Sequence, residues 1–271
     1  MPELPEVETT RLGLLPYLVN RKIVDLVVRE PRLRWPIPVG LGDELRGARM
    51  VAIARRAKYL LIDCGTGHLI LHLGMSGSLR IVEKSVVPGK HDHYDLLTDS
   101  GSIVRYTDPR RFGSLHWTRA TPEEHPLLAK LGLEPLSEAF HGKWLYQATR
   151  GRRVSIKQFV MDQHRVVGVG NIYANEALFR AGIHPHIPAA RVGLRRCEAL
   201  VNAIKHTLNL ALKAGGSTLR DFVNSDGEPG SFQLNYRVYD RTDKPCFRCH
   251  QAIREIRQGQ RGTFYCATCQ R

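Results

Sequence analysis

Residues 50–63 read MVAIARRAKYLLID, and residues 68–73 read HLILHL. Both stretches are rich in the β-branched, aliphatic and aromatic residues that favour strands. Five further short runs of this kind occupy residues 22–29, 78–82, 94–98, 103–106 and 114–117. The turn signal Asp99-Ser100-Gly101 joins two of them as a predicted hairpin. Because no helical segments alternate with these runs, we expect an antiparallel β-sandwich and not a parallel sheet.

Helical patterns flank this region. Apolar residues recur at near-helical spacing over residues 6–18, directly after Pro5, which predicts a helix close to the start of the chain. Residues 131–142 have the composition of a connector, and residues 194–214 form an amphipathic helix that ends at Gly215-Gly216. We interpret the polar stretch 217–235, which contains Gly and Pro, as a mobile loop.

The predicted fold class is therefore α+β. We expect an N-terminal antiparallel β-sandwich domain with flanking helices over residues 1–132, a helical domain over 133–235 and a C-terminal β-hairpin finger over 236–271. A length of 271 residues with 42% hydrophobic residues is enough for a packed core and excludes wholesale disorder.

The charge balance points to a polyanionic partner. The chain has 40 Lys and Arg against 26 Asp and Glu, a formal net charge of +14. Cations that neutralise phosphates release condensed counterions, so nucleic acid is the favoured partner, although a generally basic protein would show the same surplus. The sequence has no apolar run long enough to span a membrane and no signal-peptide pattern, so we expect an intracellular protein.

Four of the six cysteines lie in the tail segment CFRCHQAIREIRQGQRGTFYCATC. Cys246 and Cys249 form one Cys-x-x-Cys pair, Cys266 and Cys269 form another, and sixteen residues separate the pairs. This spacing predicts one Zn²⁺ held by four thiolates, which is structural because no ligand position is left for water. Outside this set, we interpret His250 as a surface residue and both Cys64 and Cys197 as small buried apolar residues.

Two further segments allow more than one interpretation. Removal of Met1 from the opening MPELPEVE would make Pro2 a secondary amine beside Glu3. Pro2 could then be a nucleophile with Glu3 as its proton donor or acceptor, or the two residues could form the entry to a helix. Arg257 and Arg261, between the cysteine pairs, are expected at an exposed hairpin tip. There they could enter a DNA groove or hold phosphates, or form a solvated basic turn.

Seven motifs together resemble one family from end to end. They are PELPEVE, RRAKYLL, HLGMSGSLR, KHDHYDL, YTDPRRFG, VVGVGNIYANEALFRAGIHP and the four-cysteine finger, in that order. The chain resembles the formamidopyrimidine-DNA glycosylases. Leu4 resembles this family more than the related endonuclease VIII, which typically has glycine at that position.

The resemblance implies a bacterial, cytoplasmic and nucleoid-associated enzyme of base-excision repair. Such an enzyme is a monomer that acts on double-stranded DNA containing oxidised purines or abasic sites. It excises 8-oxoguanine and formamidopyrimidines and cleaves the strand by β,δ-elimination. The implied fold has a helix-two-turn-helix DNA-binding domain after the β-sandwich and a zinc finger at the end.

The resemblance also implies roles for individual residues. Pro2 would attack C1′ of the sugar and become an iminium, Glu3 would protonate the opening sugar ring, and Lys58 would donate a proton during β-elimination. Arg261 corresponds to the residue assigned to δ-elimination. A guanidinium holds its proton throughout the physiological pH range, so we expect Arg261 mainly to bind phosphate.

The implied DNA contacts form two groups. Met75, Arg110 and Phe112 match the family's residues that fill the space of the extruded base, with Arg110 pairing with the orphaned cytosine. His91, Arg152 and Asn171 match phosphate contacts. Two alternatives stay open on the sequence: an endonuclease VIII activity on oxidised pyrimidines, and a zinc-containing protein that binds damaged DNA without catalysis.

Overall fold

The computed structural model describes residues 2–217 and 230–271, and the chain divides into two compact units. Unit 1 comprises Met1–Ala129 and Ala214–Ser231, and unit 2 comprises Lys130–Lys213 and Phe232–Arg271. The predicted finger and most of the predicted helical domain thus share unit 2, and the three-domain division stays a prediction.

Unit 1 contains two helices and eight strands among its described residues. The helices are α1 (Leu4–Leu18) and α2 (Leu41–Leu45), and a 3-10 turn follows at Pro122–Glu124. The strands are β1 (Ile23–Val28), β2 (Ala52–Arg56), β3 (Tyr59–Asp63), β4 (His68–His72), β5 (Ser78–Val82), β6 (Asp92–Thr98), β7 (Ile103–Thr107) and β8 (Ser114–Thr118).

The strands form two antiparallel four-stranded sheets, in the orders β1-β6-β7-β5 and β2-β3-β4-β8. Buried side chains from both sheets pack into one core, with Leu26, Leu96 and Val104 from the first sheet and Leu60, Leu71 and Leu115 from the second. The hairpin predicted at residues 99–101 joins β6 to β7, with Gly101 at φ +84°. The structure therefore confirms the antiparallel sandwich.

Residues 50–63 divide into two strands, β2 and β3, joined at Ala57 and Lys58. Ala57 adopts φ +56°, a left-handed conformation that ends the first strand and starts a tight turn. The pairing of β2 with β3 begins beside the turn, where Arg56 lies opposite Tyr59. Lys58 consequently lies at a hairpin turn and not within a strand.

Helix α1 packs its apolar side against β2 and β3. Val7, Leu14 and Leu18 have no exposed surface, and Pro5 lies in the first turn, where proline costs no hydrogen bond. The helix begins two residues earlier than the apolar pattern indicated, at Leu4. The prediction of a helix at the start of the chain is confirmed.

Unit 2 is helical apart from the finger. Its helices are α3 (Gly142–Thr149), α4 (Ile156–Val160), α5 (Asn171–Arg180) and α6 (Leu194–Lys213), with 3-10 turns at Ala189–Arg191 and Phe232–Asn235. The finger consists of strands β9 (Arg254–Gln258) and β10 (Arg261–Tyr265), which form an antiparallel hairpin.

Helix α6 ends as predicted, with Gly215 and Gly216 in left-handed conformations. Most of the loop predicted over 217–235, residues 218–229, lies outside the described residues. Its end from Phe232 to Asn235 forms a 3-10 turn. No helix in the described part of the chain is both long and apolar enough to cross a bilayer.

Candidate functional site

The start of α1 holds the Pro2–Glu3 pair in a defined position. Glu3 is the N-cap of α1, and a capping box joins it to Glu6: the Glu3 side chain accepts from the Glu6 backbone N–H, and the Glu3 N–H donates to Glu6 Oε2 at 2.8 Å. Pro2 and Glu3 are both buried. The start of the helix thus fixes the position of both residues.

Glu6 has a second partner further along the chain. Its Oε1 accepts the Ser217 N–H at 2.8 Å, and Gly216 packs so closely that an added Cβ would lie 3.1 Å from the same oxygen. Glu6 is 2% exposed. One buried carboxylate therefore joins the beginning of α1 to the segment that follows α6.

Glu8 connects the early turns of α1 to the hairpin turn that carries Lys58. Its carboxylate accepts from Arg11 at 2.7 Å and from Arg55 Nε at 3.0 Å, and Arg55 also donates to the Ala57 carbonyl at 3.0 Å. Burial acts to raise the pKa of Glu8, but the two guanidiniums outweigh it and hold that pKa below its usual range. These contacts place the Lys58 turn beside the helix that begins just after Pro2.

His72, at the end of β4, lies in the electrostatic field of Lys58. Burial, the positive charge of Lys58 and that of Arg34, in that order, lower the pKa of His72 to about 4. Its Nδ1 accepts the Gly74 N–H at 2.9 Å, so in the neutral ring the proton is on Nε2. Near neutral pH His72 is an uncharged imidazole beside a lysine.

The buried carboxylate of Asp108 organises the loops that carry Met75, Arg110 and Phe112. Oδ1 accepts Ser76 Oγ–H at 2.7 Å and the Arg110 N–H at 3.2 Å. Oδ2 accepts the Gly113 N–H at 2.9 Å and the Tyr106 hydroxyl at 3.1 Å. Asp108 has no exposed surface, so these four contacts are shielded from water.

The backbone of Asp108 extends the same network. Its N–H donates to the carbonyl of His91 at 3.0 Å, and its carbonyl accepts from His93 Nε2 at 2.6 Å. His91 itself is exposed. Four of the predicted DNA contacts, Met75, His91, Arg110 and Phe112, are therefore collected around one buried residue of unit 1.

Two glycines allow these loops to touch. A Cβ on Gly74, which adopts φ +71°, would lie 2.4 Å from the backbone of Phe112 and of Gly113. A Cβ on Gly113 would lie 1.7 Å from the hydroxyl of Tyr106. A larger residue at Gly74 would separate the Met75 loop from the Phe112 loop, and one at Gly113 would displace the hydroxyl that donates to Asp108.

Met75 and Phe112 are exposed to 38% and 44%. Neither side chain is therefore part of the buried core of unit 1. The Arg110 guanidinium lies 4.9 Å from the centre of the Phe112 ring, in cation–π geometry. Unit 1 thus presents a flexible apolar side chain, an aromatic ring and a guanidinium together at its surface.

In unit 2, Asn171 and Arg261 are brought together through Gly262. Asn171 is the first residue of α5, and its Nδ2 donates to the Gly262 carbonyl at 3.0 Å. Lys157 is 1% exposed, and its Nζ donates to the same carbonyl at 3.0 Å and to Thr263 Oγ1 at 2.6 Å. Arg261, directly before Gly262, is exposed next to the Gly259-Gln260 turn.

Arg257 and Arg152 are placed differently. Arg257 is exposed within β9 and pairs with Gly262, one position further from the turn than Arg261. Arg152 is exposed in the loop between α3 and α4. Within residues 2–217 and 230–271, its side chain makes no hydrogen bond or ion pair, and no contact joins it to Asn171 or Arg261.

The sulfur atoms of Cys246, Cys249, Cys266 and Cys269 all lie within 4.8 Å of one another, with 3.4 Å between the sulfurs of Cys249 and Cys266. Four ligands about 2.3 Å from a tetrahedral zinc would lie about 3.8 Å apart, so the cluster fits this ion. His250 is exposed and outside the cluster, whereas Cys64 and Cys197 are buried, as expected from the sequence.

Three residues in these networks were not identified as site residues from the sequence. Lys157 lies in RVSIKQFV, far in sequence from its partners Gly262 and Thr263. Asp108 lies in the DPRRFG motif, and its bond to Ser76 on another loop is not visible from that motif. Glu6 was assigned only to the helix start. For Lys157, the signal that could have identified it is a charged residue within a largely apolar stretch.

Models of three domain families match the chain. The formamidopyrimidine-DNA glycosylase N-terminal domain matches residues 1–115, the formamidopyrimidine-DNA glycosylase H2TH domain matches 131–223, and the zinc finger found in FPG and IleRS matches 243–271. The last match and the cysteine geometry together confirm the prediction of a structural zinc ion with four cysteine ligands.

Similar proteins cover the whole chain. The formamidopyrimidine-DNA glycosylase of Alkalilimnicola ehrlichii is 56% identical over 277 residues, with all of both chains covered. Two structures of Lactococcus lactis Fpg are each 34% identical with a TM-score of 0.91, and 99% of both chains is covered. One contains DNA with an abasic site, and the other contains DNA with an N7-benzyl-Fapy-dG lesion.

Proposed function

Because the chain belongs to the formamidopyrimidine-DNA glycosylase family, we propose that it is a bifunctional DNA glycosylase and abasic-site lyase. Family membership makes it a DNA glycosylase of base-excision repair. The proposal adds its substrates, 8-oxoguanine and formamidopyrimidines in double-stranded DNA, and strand cleavage by β,δ-elimination. The observation that carries it is Pro2 directly before the N-cap residue Glu3, with both residues buried.

The nucleophile in this proposal is the nitrogen of Pro2. Once Met1 is removed, that nitrogen changes from an amide to a secondary amine. Because α-amino groups ordinarily have a pKa of about 8, a useful fraction of the amine is neutral at physiological pH. Helix α1 begins at Leu4, two residues on. The positive end of the helix dipole disfavours the protonated amine and so favours the nucleophile.

The reaction proceeds through a covalent intermediate. The lone pair of the Pro2 nitrogen forms a bond to C1′, and the damaged base leaves with the electrons of the glycosidic bond and takes up a proton. The carboxyl group of Glu3 protonates the ring oxygen as the bond from C1′ to that oxygen breaks, which leaves an iminium between Pro2 and the open sugar.

The iminium makes the neighbouring C2′–H acidic. Loss of that proton expels the 3′ phosphate, and a second elimination expels the 5′ phosphate. We assign proton donation in the first elimination to Lys58, whose turn is connected to α1 through Arg55 and Glu8. Arg261 stabilises the phosphate that leaves in the second step.

Extrusion of the damaged base leaves a gap in the duplex. Met75 and Phe112, exposed and adjacent in unit 1, fill this gap, and Arg110 pairs with the orphaned cytosine. His91, Arg152 and Asn171 bind phosphates. The Lactococcus lactis Fpg structures that contain lesion or abasic-site DNA support a DNA substrate of this kind.

Borohydride trapping on a duplex that contains 8-oxoguanine opposite cytosine tests the mechanism. Reduction of the iminium should yield a covalent protein–DNA adduct whose modified peptide begins at Pro2. Protein that retains Met1 is the matched control, because its proline nitrogen is part of an amide and should form no adduct.

Two results would contradict this proposal. Failure to trap any adduct would indicate a protein that binds damaged DNA without catalysis. A preference for thymine glycol over 8-oxoguanine in the same assay would indicate an endonuclease VIII type of activity.

A further inference from the structure

Unit 2 contains a basic cavity at the C-terminal end of α5. Its volume is about 250 Å³, and its lining consists of Glu176, Phe179, Arg180, Arg237, Phe247 and Arg248. With three arginines and one carboxylate, the lining carries a net charge of +2 when Glu176 is ionised. None of the residues proposed above for catalysis or DNA contact lines this cavity.

The arginines around the cavity are held in place by the finger. Arg248 donates from Nη1 to the carbonyl of Phe179 and from Nη2 to that of Arg180, both at 3.2 Å, and so caps the end of α5. The Phe247 ring, 56% exposed, has the guanidinium of Arg237 at 5.0 Å and that of Arg241 at 3.8 Å from its centre. The positive groups are therefore arranged before any ligand binds.

The single carboxylate in the lining leaves positive charge in excess. Glu176 accepts the backbone N–H groups of Arg237, Val238 and Tyr239 at 2.9 to 3.0 Å. Among the described residues, none forms an ion pair with the guanidinium of Arg180, Arg237 or Arg248. Burial lowers the pKa of Arg180 most, the charge of Glu176 raises it, and repulsion by Arg237 and Arg248 lowers it. This mutual repulsion is what a bound anion would relieve.

The cavity is remote from the proposed DNA contacts of unit 2. Asn171 begins α5 and Arg180 ends it, a separation of about 13 Å along the helix axis. Arg261 begins β10. The other end of this strand, about 13 Å from Arg261, leads directly into the zinc ligand Cys266. The cavity therefore lies at the opposite end of α5 from Asn171.

We propose that this arginine cavity binds an acidic segment of a partner protein. Carboxylates of Asp or Glu would pair with Arg180 and Arg237, and an apolar side chain of the segment would contact Phe247. The cavity is smaller than most small-molecule pockets and suits one or two side chains better than a nucleotide.

Fluorescence anisotropy of a labelled hexapeptide of alternating Asp and Phe tests the proposal on the full-length zinc-loaded protein. The double variant Arg180→Glu, Arg237→Glu should bind the peptide at least about tenfold more weakly than the native protein, or about 1.4 kcal/mol. Arg195→Glu, which reverses the charge of an exposed arginine on α6, should bind like the native protein. A peptide with Lys in place of Asp should not bind.

Excision of 8-oxoguanine and zinc content should be unchanged in the double variant. If charge reversal disturbs the finger, the milder pair Arg180→Gln and Arg237→Gln repeats the comparison. Equal peptide affinity in native and variant proteins, or no saturable binding to the native protein, would overturn the proposal. So would a loss of affinity for an undamaged duplex in the double variant alone, because the cavity would then be a DNA site.

Discussion

Ser76 Oγ donates to Asp108 Oδ1 at 2.7 Å across 32 positions of sequence. This contact joins the loop that carries Met75 to the loop that carries Arg110 and Phe112. Since Asp108 also accepts from the backbone of Arg110 and Gly113, one buried carboxylate sets the relative position of all three exposed side chains.

Asp108→Asn should therefore disturb both stability and excision. Both oxygens of Asp108 accept from two donors, so an amide group in either orientation would place its NH₂ against donors. We expect the free energy of unfolding to fall by about 1–3 kcal/mol and single-turnover excision of 8-oxoguanine to slow. Ser76→Ala, which removes one of the four contacts, should have a smaller effect. Native stability and rate in the Asn variant would exclude the organising role of Asp108.

Arg110→Ala should lower excision opposite cytosine more than excision opposite adenine. The guanidinium that lies over Phe112 would no longer be available to pair with the orphaned base. Rates are measured on duplexes that differ only in the base opposite 8-oxoguanine. Arg111→Ala, which removes an exposed neighbour paired with Glu30, is the control and should leave the ratio unchanged. An unchanged ratio in Arg110→Ala would contradict the pairing role.

Arg261→Ala should weaken DNA binding without loss of zinc. The side chain is exposed beside the hairpin turn, and the contacts of Gly262 with Asn171 and Lys157 are made by a backbone carbonyl that the substitution keeps. If Arg261 contacts one phosphate, the slope of log affinity against log salt should fall by about 1. Arg254→Ala serves as the control, because Arg254 lies at the end of the hairpin away from the turn. Strand cleavage and a salt dependence of DNA affinity that are both the same as in the native protein would exclude a phosphate contact by Arg261.

His72 should make stability depend on pH between about 4 and 6.5. Its pKa in the folded protein, about 4, is below the value of about 6.5 expected when unfolded, so the unfolded chain binds more protons in this range. The contribution of His72 to the free energy of unfolding should be fully present above about pH 6.5. It should fall by about 1–3 kcal/mol as the pH drops towards 4.

Urea unfolding of the native protein and of His72→Gln, compared at each pH, measures this contribution. Acid also protonates the zinc thiolates, but that effect is common to both proteins and cancels in their difference. Below about pH 6.5, the free energy of unfolding of the native protein should fall more steeply with decreasing pH than that of His72→Gln. Parallel curves would mean that His72 titrates normally in the folded state.

Several features follow from residues close together in the sequence. The two Cys-x-x-Cys turns, the Pro5 helix start, the 99–101 hairpin and the glycines after α6 depend on local conformational preferences, and the structure has each of them. Resemblance of seven motifs, in the same order along the chain, then indicated the family.

Tertiary structure decided what local patterns could not. Lys58 lies within a strand-like stretch of sequence, and the left-handed Ala57 shows a turn there. Apolar side chains such as Met75 and Phe112 are usually buried, and only the fold shows that both are exposed. Asp108 has partners on two loops, and Lys157 has partners more than 100 positions away. The sequence by itself determined the helix start, the hairpin turn and which metal binds, because these depend on neighbouring residues. Only the fold decided which charged groups meet, because that depends on how distant segments pack.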